Sequence, residues 1–463
     1  MRIDMKLNIK NIFSAVAAAA MLTACVGDLN TVPLNPTDVT SETAYGADEA
    51  GYLQGLTKIY FQLVSNNTQD LQVADGGASE FIRAFWSTQE VTADAAKCAW
   101  GDAWVNDLNN CTWKGDVLND AVYAVYVRTL QGITYVNEYL RQTSDANLDL
   151  RGVPAEVKAK VQEFRAEARF LRAYFYWAAM DTFGQVPFST EDTQFGGGYN
   201  PPQTPRTEIF NYVVSELEDL ASDDSKMPAA QSNYPRADKG SVLGLLARVY
   251  LNAEVYTGEA KWAEAKATCE KIYGLGYALA PTHAELFRGD NGENPDARKE
   301  MLFAAAYDAE NTQSYGGTTY LTLSTLSGDD GAVAIIGING GWAGTVFLTT
   351  SFRSTSSLFL QTSQPVTTTS PTSVHISISR AVHSQWKASS TPSSMDGHAS
   401  SSTTCLMTQQ QSSMLLPLQQ RTSATSTGLS SVSVRSTLSM LRLVCMPAET
   451  HLHSSRLLLT VQA

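Results

Sequence analysis

The chain has 463 residues, 43% hydrophobic and 17% charged, enough for one large globular domain or two ordinary ones. Its net charge of −13 is unevenly spread: residues 1–344 carry 26 Lys/Arg against 44 Asp/Glu, whereas residues 345–463 carry 7 against 2. A body this acidic argues against nucleic acid and polyanionic ligands, which need basic patches.

Residues 1–24 read as a processing segment. Arg2, Lys6 and Lys10 precede an apolar run of 11 residues, Ile12 to Leu22, too short to span a bilayer. Leu22-Thr23-Ala24-Cys25 has the form of a bacterial lipobox, which predicts cleavage before Cys25 and acylation of that residue. Several acyl chains together anchor a protein stably, where one would not. A plain secretory signal with a chance cysteine is the alternative. Residues 25–40 are polar and punctuated by Pro33 and Pro36, a tether holding the body off the membrane.

A first helix is predicted after Thr40-Ser41, with Leu53, Leu56, Ile59, Tyr60 and Leu63 on its buried face. Residues 66–118 lack helical period and are rich in Gly, Asp, Asn and Trp, and long irregular stretches of this kind tend to be functional. Helix returns over 119–142, with Val122, Val125, Tyr126, Leu130, Ile133, Val136 and Leu140. The longest helix follows, over 154–183. Pro154 suits its first position, Val157, Val161, Phe164, Ala168, Leu171, Phe175 and Ala178 make one apolar face, and Phe170, Tyr174 and Trp177 add a second stripe. Gly184 ends it as a C-cap glycine, and Pro187 forces an extended exit. Thr204-Pro205 opens a further helix with Ile209, Phe210, Val213, Val214, Leu217 and Leu220 expected to be buried. Lys239 to about Tyr256 and Lys261 to about Gly274 then form a helical hairpin of TPR size, with small residues where the two must approach closely. Residues 275–344 return to loops and short extended pieces; within them Phe287 to Ala304, with Glu300-Met-Leu-Phe303, resembles a short strand region of the family named below.

The wording of the long helix says more than its period. Glu163-Phe-Arg-Ala-Glu-Ala-Arg-Phe-Leu-Arg-Ala-Tyr-Phe-Tyr-Trp177, followed by Phe183-Gly-Gln-Val-Pro-Phe188, closely resembles the hallmark helix of the SusD/RagB family, surface glycan-binding lipoproteins of Bacteroidetes. Cys25-Val-Gly-Asp-Leu-Asn-Thr-Val-Pro33 resembles that family's tether with one residue inserted, and the 239–273 hairpin resembles its divergent TPR-like pairs. The resemblance implies a mainly α, SusD-like fold over residues 41–344, with TPR-like hairpins and an irregular, loop-rich ligand-binding half. It implies capture of an oligosaccharide or polysaccharide at the outer-membrane surface through a lipid anchor, and delivery to a TonB-dependent, SusC-like transporter. No cofactor is implied.

The candidate chemistry sits in the first irregular stretch, where Trp86, Trp100, Trp104 and Trp113 crowd together with Phe81 and Phe85. Sugar rings present flat C–H faces, so indoles bind them by apolar contact while Asn, Asp and Arg hydrogen-bond the hydroxyls. The same indoles could instead fill the seam between loops and helices, and the sequence leaves both readings open. In the starch-binding member of the family an aromatic arc is completed by residues from two loops. By that resemblance the ligand residues here are Asp75, Arg83, Trp100 and Asp102 from the first loop, with Tyr320 and Trp342 from the second.

Enzyme motifs are missing: there is no G-x-S-x-G elbow, P-loop or H-E-x-x-H, and Gly196-Gly-Gly198 lacks the setting of a phosphate cradle. His283 is the only histidine before residue 345, and no Cys/His spacing supports a zinc site. A Cys98–Cys111 disulfide remains open for an exported protein. Two other functional classes remain. A surface glycoside hydrolase needs a carboxylate pair in a cleft and releases reducing sugar. A TPR-type adaptor would use a concave helical face and leave the Trp loops dispensable.

From Thr345 on the composition changes: 47 of 119 residues are Ser or Thr, and Tyr and Asn vanish. Leu457-Leu458-Leu459 and similar runs are scattered without period, unlike a Pro-rich stalk. The stretch reads as an out-of-frame translation product without a native fold or site, or else as a low-complexity tail. The resemblance implies that C-terminal helices are missing, so that apolar faces meet solvent at about 1.5–3 kcal/mol per side chain. Against a net stability of about 5–15 kcal/mol, that predicts an unstable product.

Overall fold

The structure is a computed structural model and describes residues 40–66, 71, 73, 75–93, 96–114, 118–194, 200–307, 314–326, 340–347 and 426–427. Cys25 with its lipobox, the tether over 26–39, the glycines at 196–198, and the chain beyond Phe347 other than 426–427 lie outside these.

Helices form where the apolar period asks for them. The first divides at Gly46, whose positive φ of 57° suits glycine, into α1 (Ser41–Tyr45) and α2 (Glu49–Val64). Asp48 caps α2 by accepting from Ala50 N at 3.1 Å. The stretch predicted as irregular contains short helices that carry no readable period: α3 (Phe81–Trp86), continued by a π turn over Ser87–Val91, and α4 (Ala103–Asn110). Next come α5 (Asp120–Gln142), capped by Asn119, a short α6 (Asp145–Leu150) and α7 (Ala155–Phe183). Pro154 proves to be the N-cap of α7 rather than its first helical residue. Gly184 ends α7 at a φ of 74°.

Beyond it lie α8 (Arg206–Ala221), α9 (Lys239–Leu251), α10 (Ala253–Thr257) and α11 (Trp262–Tyr273). A break at Asn252 splits the helix expected to reach Tyr256. Asp238 and Ser241 form a reciprocal capping box at the head of α9. Two further short helices, α12 (Pro295–Arg298) and α13 (Gly317–Leu323), interrupt the last loops. Among the described residues strands are few: β1 (Ala96–Cys98) pairs with β5 (Thr345–Phe347), β2 (Val186–Pro187) with β3 (Gln203–Thr204), and β4 (Ala306–Tyr307) with β6 (Ser426–Thr427), all antiparallel. The strand expected around Glu300–Phe303 is instead buried irregular chain, with the strand pairing only at Ala306–Tyr307.

The core is organised on α7. Phe164, Ala168, Leu171, Phe175 and Ala178 are fully buried, as is the second stripe at Phe170 and Trp177. Gly132 of α5 is required at the crossing with α7, because a Cβ there would lie 2.6 Å from Phe175 Cε2. Glu167, inside α7, has no exposed surface and binds Arg236 through both carboxylate oxygens, at 2.6 and 3.0 Å. Tyr60 of α2 donates to the same carboxylate at 2.8 Å. Burial pushes the Glu167 carboxyl up, and the Arg236 guanidinium and Tyr60 hydroxyl pull it back. This cluster ties α2, α7 and the approach to α9 together. The result is a mainly α structure with the α9–α11 hairpin at one end of the chain order and the Trp-bearing segments at the other. Among the described residues, no helix is long and apolar enough to cross a membrane.

Candidate functional site

The short helix α3 has two working faces. Phe81 and Phe85 point into the core, with ring centroids 6.2 Å from Phe175 and 5.7 Å from Trp177 respectively. Arg83 and Trp86 serve a second cluster, built from segments far apart in sequence. Arg83 is buried, 2% exposed, and its guanidinium grips Asp75 through two bonds of 2.6 and 3.2 Å. The same guanidinium lies 4.3 Å from the Tyr320 ring centroid, 5.6 Å from Trp100 and 5.8 Å from Trp104. One fixed cation thus supports three aromatic rings.

The β1–β5 ladder sets Trp100 against the second loop. Cys98 pairs with Thr345, and Ala99 N donates to Gly344 O at 2.6 Å. Trp100 then packs directly on Gly344, where a Cβ would lie 2.1 Å from the indole. Its Nε1 donates to the Trp342 carbonyl at 3.3 Å. The second loop is held in turn by α13 and the turn after it, since Trp342 N donates to Leu323 O at 2.7 Å and Ala343 N to Leu326 O at 2.8 Å.

The rings form a continuous chain. Centroids are 5.9 Å apart for Trp86 and Tyr320, 6.0 Å for Trp100 and Tyr320, 6.3 Å for Trp100 and Trp342, and 6.4 Å for Trp342 and Tyr315. Trp86, Trp100 and Trp342 are half-buried, and Tyr315 is 70% exposed. Asp102, the exposed N-cap of α4, has its side chain uncommitted to the cap.

All six residues singled out in the two loops therefore belong to this region, although they do not have the same part in it. Trp100, Trp342 and Asp102 reach the surface. Tyr320 is 1% exposed and Arg83 is buried beneath the indoles, so both are foundation rather than contact surface. Asp75 holds Arg83 in place. Trp104 is buried in the core, which settles it as seam-filling, while Trp113 stays 44% exposed. Cys98 is buried and Cys111 exposed, and both are free thiols, so the open disulfide pairing is not made. Tyr315 was missed; a lone tyrosine among Ser and Gly has no periodic neighbour to mark it.

A family model described as SusD-like, starch-binding and associating with the outer membrane matches residues 65–251. The starch-binding protein SusD of Bacteroides thetaiotaomicron is 32% identical over 340 residues, 72% of this chain and 57% of that protein. This chain belongs to the SusD-like family. SusD-like protein P25 of Formosa agariphila is 24% identical over 234 residues, 50% of this chain and 41% of its own length. Among solved structures, surface glycan-binding protein A from Bacteroides fluxus superposes with a TM-score of 0.51 at 21% identity, covering 66% of this chain and 61% of that one. A SusD superfamily protein from Parabacteroides distasonis gives 0.51 at 17%, covering 67% and 59%. These two likenesses concern the fold. The chain spans about half the length of the curated SusD-like relatives it matches. The matched family segment contains Asp75, Arg83, Trp100 and Asp102 and ends well before Tyr320 and Trp342.

Proposed function

We propose that this chain is a cell-surface glycan-capture lipoprotein. It would bind a polysaccharide on the aromatic arc and pass it to a TonB-dependent, SusC-like transporter of the outer membrane, without cleaving it. The observation that carries the reading is the arc itself: two half-buried indoles and an exposed tyrosine ring in series, resting on a buried, ion-paired arginine. A fixed, partly wet row of flat rings suits the C–H faces of consecutive sugars, and prior fixation lowers the ordering cost of binding. Asp102 at the rim offers a hydroxyl acceptor. Starch is the first glycan to try, because the SusD protein of Bacteroides thetaiotaomicron is a starch-binding protein. Anchorage is assigned to Cys25 by the lipobox, followed by the polar tether.

The experiment is affinity electrophoresis through gels containing soluble starch, laminarin, pectin, xylan or mucin glycans, with a reducing-sugar assay alongside. Retardation by one of these without sugar release is expected. Migration unchanged in every gel, or release of reducing ends, would overturn the reading.

A further inference from the structure

Helix α5 is apolar on a side that the described residues leave partly open. Between Asp120 and Glu138 it carries one charge, Arg128, which is buried and donates to Ser79 O at 2.8 Å. Packing takes up the inward face, where Val125, Ile133, Val136 and Leu140 are buried. On the opposite side Tyr123, Val127, Leu130 and Thr134 recur at helical spacing, the first three half-buried and Thr134 exposed. Tyr126, 37% exposed, and Phe183 widen this strip toward α7, their rings 5.3 Å apart. Toward α2, Lys58 Nζ lies 5.5 Å from the Tyr135 ring centroid. A helix that is apolar all round is ordinarily buried, so the strip calls for a cover.

Charge and reach favour one kind of cover. Residues 1–344 hold 44 Asp/Glu against 26 Lys/Arg, so two such bodies repel each other, which disfavours a second copy. The chain beyond Phe347 has no periodic apolar pattern to lay on the strip. A lipid surface meets neither obstacle. Tyrosine and lysine at the rim of an apolar face suit the headgroup level, with carbon inward and the hydroxyl or ammonium in water. Residues 26–40 separate Cys25 from the body, and 15 residues reach about 50 Å when extended. With 23 residues α5 is about 35 Å long, and it lies beside α2, the second helix after the tether. An acyl anchor at Cys25 therefore leaves the strip within reach of the bilayer and raises its effective concentration there.

We propose that the outward strip of α5 rests on the lipid surface to which Cys25 is anchored, lying in the interfacial layer rather than crossing it. The proposal rests on the lipid-anchor part of the function proposed above.

The test is flotation of the mature chain, residues 25–463, with phosphatidylcholine vesicles on a density gradient. The protein carries Cys25→Ala, so that no acyl chain contributes, and should float with the vesicles. Val127→Glu combined with Leu130→Glu should lower the partition coefficient about tenfold, with an unchanged circular dichroism spectrum. Thr134→Glu, at a position already exposed, should act in the same direction, and it decides if the double variant does not fold. Trp262→Ser, at an exposed indole of α11, controls for general stickiness and should float as before. Protein that stays at the bottom of the gradient overturns the proposal. So does flotation that survives the glutamates, or that is lost equally in Trp262→Ser. A dimer in sedimentation that the same glutamates dissociate would make the strip an interface between copies and overturn the lipid contact. Palmitate labelling of the wild type keeps the two readings apart: no label at Cys25 fails the anchor, and label without flotation of the Cys25→Ala protein fails the strip alone.

Discussion

Replacing Arg83 separates foundation from surface. Its side chain is 3% exposed, and Asp75 retains 30%. Breaking a fully buried ion pair costs about 3–5 kcal/mol, and partial solvation of Asp75 lowers this to about 2–3 kcal/mol for Arg83→Ala. Losing the cation from beneath Tyr320 and two indoles adds about 1 kcal/mol, since such contacts are worth about 0.5–2 kcal/mol and do not simply add. Arg83→Ala should thus lose about 3–4 kcal/mol, a large part of a typical margin of about 5–15 kcal/mol. Arg83→Lys keeps the charge but cannot offer two parallel donors to Asp75 or lie flat under the rings. It should lose about 1–2 kcal/mol and remain folded. Urea unfolding followed by circular dichroism measures both variants, and glycan titration of the folded Arg83→Lys protein reads the arc. The lysine variant should bind more weakly because Trp100 has lost its support. If Arg83→Lys matches the wild type in stability, within about 0.5 kcal/mol, and in affinity, the guanidinium is not the foundation described.

Three other outcomes are expected. The Glu80 carboxyl, ordinarily at 4.5, stands at about 7 in the folded chain because it is buried. As pH rises through that window the unfolded chain gives up this proton first, so Glu80 should lower stability by about 3 kcal/mol between those values and no further above them. Glu80→Gln should remove that slope in urea melts, and a variant that keeps it would contradict the assignment. Cys25→Ala should abolish acyl labelling by fed palmitate and leave the precursor uncleaved; label persisting in the variant would refute the anchor. Restoring the reading frame downstream of codon 345 should recover patterned helices with Tyr and Asn and give a more stable protein. Early stop codons in both other frames would instead make the Ser/Thr-rich stretch genuine.

The helical body was legible because its signals are redundant. In α7, a 29-residue apolar period, charged early turns and Gly184 all point to one element. Likewise α5 and α8 carry a periodic face that burial then uses, from Ile133 and Val136 to Val213 and Leu217. Short elements lack that redundancy. Six residues of α3 span fewer than two turns, too few for a period to be visible. Met301, Leu302 and Phe303 are expected as strand only by family resemblance, and a run of apolar residues says buried without saying extended. In the fold Phe303 packs edge-on to Phe170 at 5.2 Å, and Leu302 lies against Gly244.

The site was legible as composition and as family wording, but not as depth. Nothing in the sequence separates Trp100, which reaches the surface, from Trp104, which does not, because both lie in polar loop text within five residues. Tyr320 and Tyr315 show the same difficulty with opposite outcomes. Tyr320 lies inside α13 and Tyr315 just before it, in a turn whose neighbours Tyr307 and Ser314 bond Glu80, more than two hundred positions away.

The central claim is that the half-buried indoles of the arc form a sugar-binding surface rather than a packing seam. Isothermal titration of wild-type and Trp100→Ala protein with maltoheptaose tests it most directly, with circular dichroism on both. Affinity reduced by about 1–3 kcal/mol in a variant with an unchanged spectrum is the expected result. An unfolded variant, or a folded one that binds as tightly as the wild type, would contradict it.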